Sequence, residues 1–479
     1  MSALWTIDAM AAAMRADRAG RLPAEVSGLS IDSRSIKPGE AYFAIKGDVH
    51  DGHAFVAPAL SAGGGVAVVA RDKRDGLPAD APLLIVPDVL DGLRDLGRAA
   101  RARAAGKIVA VTGSVGKTST KEALRLALSR DGETHASVAS FNNHWGVPLS
   151  LARLPHGARY GVFEIGMNHA GEIAPLTRLV RPHVAIITTV EPVHLEFFDS
   201  IEGIADAKAE IFLGLEPGGA AVLNLDNKQF ARLKGHAETA AVARIVSFGE
   251  HAKADARLIK CSLQADGSTV EADILGQRAV YKLGAPGKHV VMNSLAVLAA
   301  ASLAGADLAI AALALADLAP AQGRGTRYSL EVPGGAALLI DESYNANPTS
   351  MRAALELLGQ APLGPQGRRI AVLGDMLELG PSGEKLHREL ARAIKDNGID
   401  LVFCAGPLMA ALWKALPSER KGGYAENAAK LEPEVVAAIR GGDAIMVKGS
   451  LGSRMGPIVK ELSRRYAPSE ATAQVRAQV

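Results

Sequence analysis

The sequence predicts a three-domain protein of the α/β class, and three observations support this prediction. The chain has 479 residues, a length that corresponds to roughly three domains. Apolar strand-like runs alternate with helix-like runs through much of it, which is typical of open α/β sheets. A glycine-rich loop lies between one such strand and one such helix. We place the three domains at residues 1–88, 89–326 and 327–479.

The amino-acid composition further limits the kinds of protein that this chain can be. The chain is 48% hydrophobic and 22% charged, so it can bury real cores and is not disordered. Its net charge of +2 does not indicate a nucleic-acid or membrane partner. The two cysteines, Cys261 and Cys404, provide neither a disulfide framework nor a zinc spacing. Together with an N-terminus that lacks the pattern of a signal peptide, this predicts a reducing, cytoplasmic location.

The predicted strands of the first two domains differ in kind. Residues 1–88 hold short strands with glycine turns, such as AYFAIKGD and GGGVAVVA. In the middle domain, apolar runs lead straight into polar residues, as in YGVFEIGMN, HVAIITTVEPVH and AAVLNLDN. Continuous apolar runs are expected in parallel sheets that are covered on both faces. The middle domain is therefore predicted to contain a parallel sheet.

The third domain alternates strands with helices. Its strands are predicted at ALLIDES, RRIAVLGD, LVFCAG and DAIMVKGS, and its helices at SMRAALELL and GEKLHRELARAIKDNG. In an open sheet of this kind ligands bind beyond the carboxyl ends of the strands. The polar residues at those ends are therefore the candidate site residues.

The most apolar segment, Leu295–Leu318, resembles a membrane span at first sight, since a span needs about 20 apolar residues. It is mostly alanine, and Gly305, Asp307 and Asp317 interrupt it. Two buried helices of a globular domain are the better interpretation.

The loop VTGSVGKTST, residues 111–120, has the context of a phosphate-binding loop. An apolar strand precedes it and a helix-forming run follows it. Its backbone N–H groups and the positive end of the helix dipole can hold a polyphosphate. Thr118 can reach a magnesium ion, and Lys117 can reach the terminal phosphates. The usual pattern requires glycine where Val111 stands, so the loop is shortened.

Three further residues of the middle domain have both a functional and an ordinary interpretation. Glu164, at the end of a strand, is either a magnesium ligand or an exposed carboxylate. His194 alone favours a hydrogen-bonded structural role, because imidazole is an unusual magnesium ligand. Lys208 alone favours a solvated surface lysine, since an ammonium cannot bind a metal. A neutral lysine amine that adds carbon dioxide becomes a carbamate, whose two oxygens share a negative charge. In that form Lys208 could bind a metal.

In the third domain, the strand ALLI leads into residues 341–348, DESYNANP. These residues suit a turn, because Asn and Pro are turn residues, and they also suit a nucleotide or a hydrated magnesium ion. Lys448, Gly449 and Ser450 take the same position after another strand. Arg324, at the junction of two predicted domains, could serve a phosphate.

The ordered motifs resemble a known family. T-G-S-V-G-K-T, E-I-G-M-N, H-L-E and A-K-A-E-I resemble the ATP-dependent Mur ligases of peptidoglycan synthesis, which use the shortened loop with Thr112 before Gly113. D-E-S-Y-N-A-N-P, V-L-G-D-M-L-E-L-G and K-G-S resemble the family member that joins D-alanyl-D-alanine to UDP-N-acetylmuramoyl-tripeptide. I-D-S-R-S-I-K-P-G-E, K-G-D-V-H-D-G-H-A-F and F-N-N-H-W-G-V-P are similar to its donor-binding segments. The resemblance covers nearly the whole chain, in the right order.

The resemblance implies an architecture and a reaction. The architecture is a small N-terminal α/β domain that binds uridine diphosphate, a central P-loop ATPase-type domain with a parallel sheet, and a C-terminal Rossmann-like domain. The reaction is ATP-dependent and passes through an acyl phosphate, with magnesium as cofactor. The implied partners are the muramyl tripeptide and D-alanyl-D-alanine. A monomer without nucleic acid or an integral membrane segment is expected.

The resemblance also implies residue roles. Lys117, His194 and Lys208 would be catalytic. Thr118, Glu164, His194 and Lys208, as a carbamate, would hold magnesium. The residues that would bind ATP are Gly113, Ser114, Val115, Gly116, Lys117, Thr118, Ser119, Asn293, Arg324, Asp341, Asn345 and Asn347. The residues that would bind the donor are Asn142 and Asn143 at the muramyl peptide, and Ser33, Arg34, Lys46 and Gly47 at the uridine diphosphate.

Three alternatives remain open at the level of sequence. A sibling ligase that adds diaminopimelate or lysine would share the ATP site, but its D-N-P-R signature is not found in the chain. Folylpolyglutamate synthetase typically has glycine where this chain has Thr118. A P-loop regulatory NTPase would hydrolyse nucleotide without an amino acceptor, and it would not need Lys208.

Overall fold

The computed structural model describes residues 3–47, 50–138, 140–193, 196–264, 266–320 and 323–467. Within these residues the chain folds into three successive α/β units, each built on a mostly parallel sheet. The predicted fold class is confirmed. Short 3-10 turns occupy Gly52–Phe55, Arg71–Gly76, Glu210–Gly214, Leu315–Asp317, Gly380–Ser382, Ser418–Arg420 and Leu451–Ser453.

The N-terminal unit is small. Its elements are β1 (Trp5–Thr6), α1 (Ile7–Met14), β2 (Asp17–Ala19), β3 (Glu25–Val26), β4 (Gly28–Ser30), β5 (Glu40–Phe43), α2 (Val56–Ser61), β6 (Val66–Ala70), β7 (Leu83–Val86) and α3 (Val89–Arg103). Five strands form one sheet in the order β2-β7-β6-β5-β4, in which β4 to β7 are parallel and β2 is antiparallel. Strands β1 and β3 form a separate antiparallel pair.

The central unit contains the largest sheet. Its elements are β8 (Lys107–Thr112), α4 (Lys117–Ser129), β9 (Thr134–Ala136), α5 (Gly146–Ala152), β10 (Tyr160–Glu164), α6 (Ile173–Val180), β11 (Val184–Ile187), α7 (Ile201–Ala209), β12 (Ala220–Asn224), α8 (Phe230–Thr239), β13 (Arg244–Gly249), β14 (Ala256–Leu263), β15 (Ser268–Ile274), β16 (Gln277–Leu283), α9 (Lys288–Leu303) and α10 (Leu308–Ala314). The strand order is β16-β15-β14-β13-β12-β11-β8-β10-β9. The seven strands β8 to β14 pair with one another in parallel. Strands β15 and β16 then extend the sheet beyond β14 by antiparallel pairing. Separate apolar cores cover the two faces, as the continuous strand runs predicted.

The C-terminal unit is an open sheet with helices on both faces. Its elements are β17 (Thr326–Val332), β18 (Gly335–Glu342), α11 (Pro348–Gly359), β19 (Arg369–Gly374), α12 (Gly383–Asp396), β20 (Leu401–Ala405), α13 (Met409–Ala415), β21 (Lys421–Ala425), α14 (Ala428–Ala438), β22 (Ala444–Lys448) and α15 (Gly456–Arg465). The strand order is β17-β18-β22-β19-β20-β21, and all pairs are parallel except β17 with β18.

Helix α3 connects the first two units. Its apolar side packs into one core with α1 and with residues of α5. Close to it, the Arg103 guanidinium lies 3.5 Å from the centre of the Trp5 ring, and the Trp5 indole N–H donates to the Ala152 carbonyl at 2.9 Å. The N-terminal unit is thereby fixed to the central one. The predicted domain boundaries stay predictions, because α3, which follows residue 88, belongs to the contacts of both units.

The apolar segment Leu295–Leu318 forms two helices, as the sequence predicts. Helix α9 ends at Leu303 and α10 starts at Leu308. Gly305 lies between them with φ 85°, and the Asp307 carboxylate caps α10 by accepting from the Ile310 N–H at 2.9 Å. In the described part of the chain no helix is long and apolar enough to cross a membrane.

Candidate active site

The phosphate-loop candidate lies between β8 and α4, and close packing requires both of its glycines. Gly113 has φ 149°, and a Cβ atom there would lie 1.9 Å from the Thr188 Oγ1. Gly116 has φ 83°, a left-handed conformation, and its Cβ would lie 2.6 Å from the Asn293 amide nitrogen. A side chain at either position would displace a polar neighbour and strain the loop. The loop therefore keeps its shape through steric constraints as well as hydrogen bonds.

Neighbouring strand β11 holds the loop from one side. The Thr188 hydroxyl, just after β11, donates to the Val115 carbonyl at 2.6 Å. The Ser114 hydroxyl donates to the Glu191 carbonyl at 3.1 Å and accepts from the Glu191 N–H at 2.9 Å. These bonds fix the loop before any ligand binds, which is the preorganisation that a phosphate site needs.

Lys117 begins α4 and folds back over the loop. Its ammonium donates to the Gly113 carbonyl at 2.7 Å. Removal from bulk water lowers the pKa of Lys117, the nearby Glu164 carboxylate opposes this shift, and Arg324 adds to it. Polyphosphate oxygens would add further negative charge beside this ammonium.

A compact group of oxygen atoms lies at the start of α4. The Thr118 hydroxyl donates to one oxygen of Glu164 at 2.9 Å, and the Asn142 amide donates to the other at 2.7 Å. The Ser140 hydroxyl lies 3.4 Å from that of Thr118. Glu164 is 1% exposed. Parallel pairing of β10 with β8 brings this carboxylate beside the loop, as the position of Glu164 at a strand end predicted.

The group fits magnesium in its chemistry. Magnesium prefers hard oxygen ligands and retains several waters, so a hydroxyl and a carboxylate from the protein are sufficient. Among the described residues, no three His, Cys, Asp or Glu side chains converge on a possible metal position. Thr118 and Glu164 are the members of the predicted magnesium set that the structure brings together. His194, the third member, lies outside the described residues.

Lys208 lies in α7 and is 2% exposed, so the expectation of a solvated surface lysine from the residue alone is wrong. Burial lowers the pKa of Lys208 well below its ordinary value, and the positive charge of Lys117 lowers it further. No described residue forms a hydrogen bond or ion pair with its amine. Such a site favours the neutral amine, which is the form that reacts with carbon dioxide.

The C-terminal unit supplies the opposite wall. Arg324, at the junction, stacks on the Tyr344 ring with 4.6 Å between the guanidinium carbon and the ring centre. Asn345 lies on the wall, and its carbonyl accepts from the buried Lys448 ammonium at 2.9 Å. Asn347 caps α11, since its side chain accepts from the Ser350 N–H at 2.8 Å.

Asp341 does not line this wall. Its carboxylate is 4% exposed and accepts from the Ser343 N–H at 3.0 Å and the Ser343 hydroxyl at 2.6 Å. In this structure Asp341 shapes the turn that presents Tyr344, while Asn347 both lines the wall and caps a helix. A direct contact of Asp341 with nucleotide remains a prediction.

A cavity of about 660 Å³ lies between the central and C-terminal units. The predicted ATP and magnesium residues that line it are Ser114, Val115, Gly116, Lys117, Thr118, Ser119, Glu164, Asn293, Arg324, Asn345 and Asn347. Gly113 lies behind them, with its carbonyl on the Lys117 ammonium. Most of the sequence-predicted nucleotide set therefore converges, although its members come from two units and lie up to 233 positions apart in the chain.

A second cavity, of about 910 Å³, lies between α3 and the central unit. Asn143 lines it, and Asn142 lines both cavities. The two predicted muramyl-peptide residues thus lie where the second cavity meets the first, beside Glu164.

The predicted uridine-diphosphate residues lie elsewhere, in loops that follow β4 and β5. Ser33 and Arg34 follow β4, and Lys46 and Gly47 follow β5, which is the parallel neighbour of β4. Arg34 forms a double hydrogen bond to Asp32, at 2.9 and 2.7 Å, and its side chain is 87% exposed. The carboxyl ends of adjacent parallel strands are a usual place for a ligand. None of the four residues lines either cavity.

Sequence reasoning missed two polar residues near the loop, Ser140 and Glu191. Ser140 contacts Thr118, and Glu191 joins the loop to the C-terminal unit, because its carboxylate accepts from the Thr349 hydroxyl at 3.1 Å. Glu191 follows an apolar strand, so the rule that identified Glu164 could have identified it. Ser140 carries no comparable sequence signal.

The fold and the site define a class of protein: a phosphate-loop domain whose cavity is completed by a second α/β domain. Models of three domain families match the chain in order: "Mur ligase family, catalytic domain" at residues 25–101, "Mur ligase middle domain" at 111–301, and "Mur ligase, glutamate ligase domain" at 328–451. The chain belongs to the Mur ligase family.

Individual relatives agree over nearly the whole length. The chain is 32% identical over 431 residues to the UDP-N-acetylmuramoyl-tripeptide–D-alanyl-D-alanine ligase of Rickettsia prowazekii, which covers 90% of this chain and 94% of the relative. MurF from Acinetobacter baumannii has a similar structure, with a TM-score of 0.81, 30% identity and coverage of 96% and 99%. MurF ligase from Thermotoga maritima, in complex with ADP, gives a TM-score of 0.74 at 26% identity, with coverage of 91% and 98%.

Proposed function

We propose that this chain is an ATP-dependent ligase that joins D-alanyl-D-alanine to UDP-N-acetylmuramoyl-tripeptide in peptidoglycan synthesis. The observation that carries the proposal is the match to enzymes of that name over 90% of the chain, through all three units. The convergence of the loop, Glu164 and the C-terminal wall on one cavity agrees with it. The ADP complex of the Thermotoga relative supports the use of ATP.

The first chemical step activates a poor electrophile. The peptide's terminal carboxylate cannot lose oxide, so it attacks the γ-phosphate of ATP, which gives an acyl phosphate and ADP. Both reactants are anions, and the protein's task is to position them and offset their charge. Lys117 lies at the loop, where it can bind β- and γ-phosphate oxygens. Asn142 lies where the two cavities meet, so it can orient the donor carboxylate toward the phosphate.

Magnesium, when bound, would neutralise charge on the phosphates and the attacking carboxylate. Its protein ligands would be Thr118, Glu164 and, outside the described residues, His194. We include Lys208 as a carbamate in this set. The neutral Lys208 amine attacks carbon dioxide, a C–N bond forms, and one proton is released, which leaves an anionic group. Burial, and after it the positive charge of Lys117, lowers the pKa of Lys208, and the carbamate anion would be attracted to Lys117 where the ammonium is repelled.

The second step forms the amide. The amine of D-alanyl-D-alanine attacks the acyl phosphate, and the tetrahedral intermediate expels phosphate. An acyl phosphate hydrolyses easily, so water must be kept out. The C-terminal unit covers the loop and contacts it through Thr349 and Glu191. Closure of this unit is the means by which the site excludes water.

The remaining assignments follow from the same reaction. Residues 1–88 bind the uridine diphosphate, 89–326 bind ATP and 327–479 complete the site and bind the acceptor. The enzyme is proposed to act as a monomer. It acts in the cytoplasm, where ATP is available and where free thiols such as the buried Cys404 remain reduced.

An end-point assay tests the proposal. Purified enzyme is incubated with ATP, magnesium and a panel of muramyl peptides, each with D-alanyl-D-alanine, diaminopimelate, lysine or glutamate, and the products are weighed by mass spectrometry. A tripeptide donor that gains the mass of D-alanyl-D-alanine, with no product from the other amines, is expected. A product with diaminopimelate or lysine on a dipeptide donor would identify a sibling ligase. ATP hydrolysis without any amide product would favour a regulatory NTPase.

A further inference from the structure

A buried lysine stands one turn beyond the phosphate-loop lysine and takes no part in the reaction described above. Lys121 of α4 is 0% exposed. Its ammonium donates to the Ser137 carbonyl at 2.8 Å and pairs with the Glu122 carboxylate at 2.8 Å. It therefore ties α4 to the chain segment that follows β9.

That segment leads to the magnesium candidates. Three residues beyond Ser137, the Ser140 hydroxyl lies 3.4 Å from Thr118 Oγ1. Two residues further, the Asn142 amide donates to Glu164 at 2.7 Å, while the Asn142 carbonyl accepts from the Gly166 N–H at 2.8 Å. The segment thus contacts both protein groups proposed to hold magnesium.

The sheet alone gives this segment little support. Strand β9 is the edge of the nine-stranded sheet and pairs with β10 through three residues, Thr134 to Ala136. Just beyond it, the Ser137 N–H donates to the Val162 carbonyl at 3.0 Å. The Lys121 bond is the next anchor, and it comes from the helix that carries Lys117 and Thr118.

We infer that Lys121 is a positioning residue: its bond to the Ser137 carbonyl helps to set the positions of Ser140 and Asn142, which orient Thr118 and Glu164 for magnesium. The inference rests on the proposed function through that magnesium site. Lys121 itself touches neither nucleotide nor metal in this account. Groups that orient metal ligands in this way usually change metal affinity or activity 10- to 100-fold, as an order of magnitude, when they are removed.

The test measures metal binding apart from turnover. Mn²⁺ replaces Mg²⁺, and its Kd in the presence of ADP is measured by electron paramagnetic resonance for wild type and Lys121→Met. Methionine keeps the unbranched length but cannot donate. Arg125→Met is the matched control, since Arg125 on the same helix also binds the Glu122 carboxylate, at 2.8 Å, but is 49% exposed.

We expect Lys121→Met, in enzyme shown to be folded by circular dichroism, to weaken Mn²⁺ binding at least roughly tenfold and to raise the magnesium concentration needed for half-maximal turnover. Arg125→Met should match wild type. A Lys121→Met enzyme with wild-type Mn²⁺ affinity would overturn the inference. If methionine prevents folding, Lys121→Gln carries the same test, because its amide is too short to reach the Ser137 carbonyl. Failure of wild type to bind Mn²⁺ would instead refute the magnesium site.

Discussion

Replacement of Lys208 by methionine separates a catalytic carbamate from a merely buried lysine. The amine is 2% exposed, and burial lowers its pKa well below the ordinary value. A charged ammonium there would cost several kcal/mol, as an order of magnitude. Methionine has similar length and no charge, so the free energy of unfolding should stay the same or rise. Arginine would be a poorer choice, because it stays charged in the same buried site.

Turnover should respond quite differently. Loss of one preorganised group that stabilises transition-state charge lowers kcat on the order of 10²- to 10³-fold. We expect a loss of that size for Lys208→Met, measured by ADP release at saturating substrates. For Lys208→Ala, which leaves a space where the proposed carbamate would lie, acetate should restore part of the activity, while chloride at the same ionic strength should not.

A spectroscopic measurement accompanies the kinetics. Enzyme equilibrated with ¹³C-labelled carbon dioxide should show a carbamate carbon signal by NMR, and Lys208→Met should lack it. A Lys208→Met enzyme with near wild-type turnover would refute the reasoning, and Lys208 would then be a buried structural lysine. An inactive variant of normal stability, without the carbamate signal, is the predicted combination.

Three other predictions concern separate parts of the chain. Lys117→Ala should lower kcat on the order of 10³-fold, because it removes charge from the phosphate loop, and acetate should not restore it in the ADP-release assay. Arg34→Ala should raise the KM for the muramyl donor and leave the KM for ATP unchanged in steady-state kinetics. Arg71→Ala is the control, because Arg71 is an exposed arginine of the same unit. An equal rise in the donor KM for Arg71→Ala would contradict a specific donor site. Burial lowers the pKa of His135 to about 4, so between pH 6.5 and 4 the unfolded chain binds a proton that the folded chain does not. Stability should therefore fall as the pH drops through this window, by up to about 2 kcal/mol between pH 6.5 and 5, and urea denaturation of His135→Gln should show less of this loss.

Short sequence patterns were sufficient to predict the buried strands, the glycine loop and the carboxylate at a strand end. Continuous apolar runs marked β8, β10 and β11 because both faces of the central sheet are covered. Glycine spacing marked the loop because backbone must approach Thr188 and Asn293 closely. Glu164 was found because it ends a strand, although its partner oxygen on Thr118 could not be known without the strand order.

The contacts that the sequence did not predict depend on that order. Ser114 meets Glu191 because β11 is the neighbour of β8, and the chain between them first crosses to β9 and β10. The burial of Lys121 has no sequence signal, since lysine in a helix is usually exposed. Lys208 presents the same difficulty: only its place among packed residues shows that its amine is removed from water.

The central claim is that this enzyme activates the donor carboxylate as an acyl phosphate, and isotope transfer tests it most directly. The terminal carboxylate of the muramyl tripeptide is labelled with ¹⁸O, and the enzyme is supplied with ATP, magnesium and D-alanyl-D-alanine. The account predicts ADP, a pentapeptide product and inorganic phosphate that carries one ¹⁸O atom from the carboxylate. AMP that carries the label, with pyrophosphate as the other product, would contradict the account.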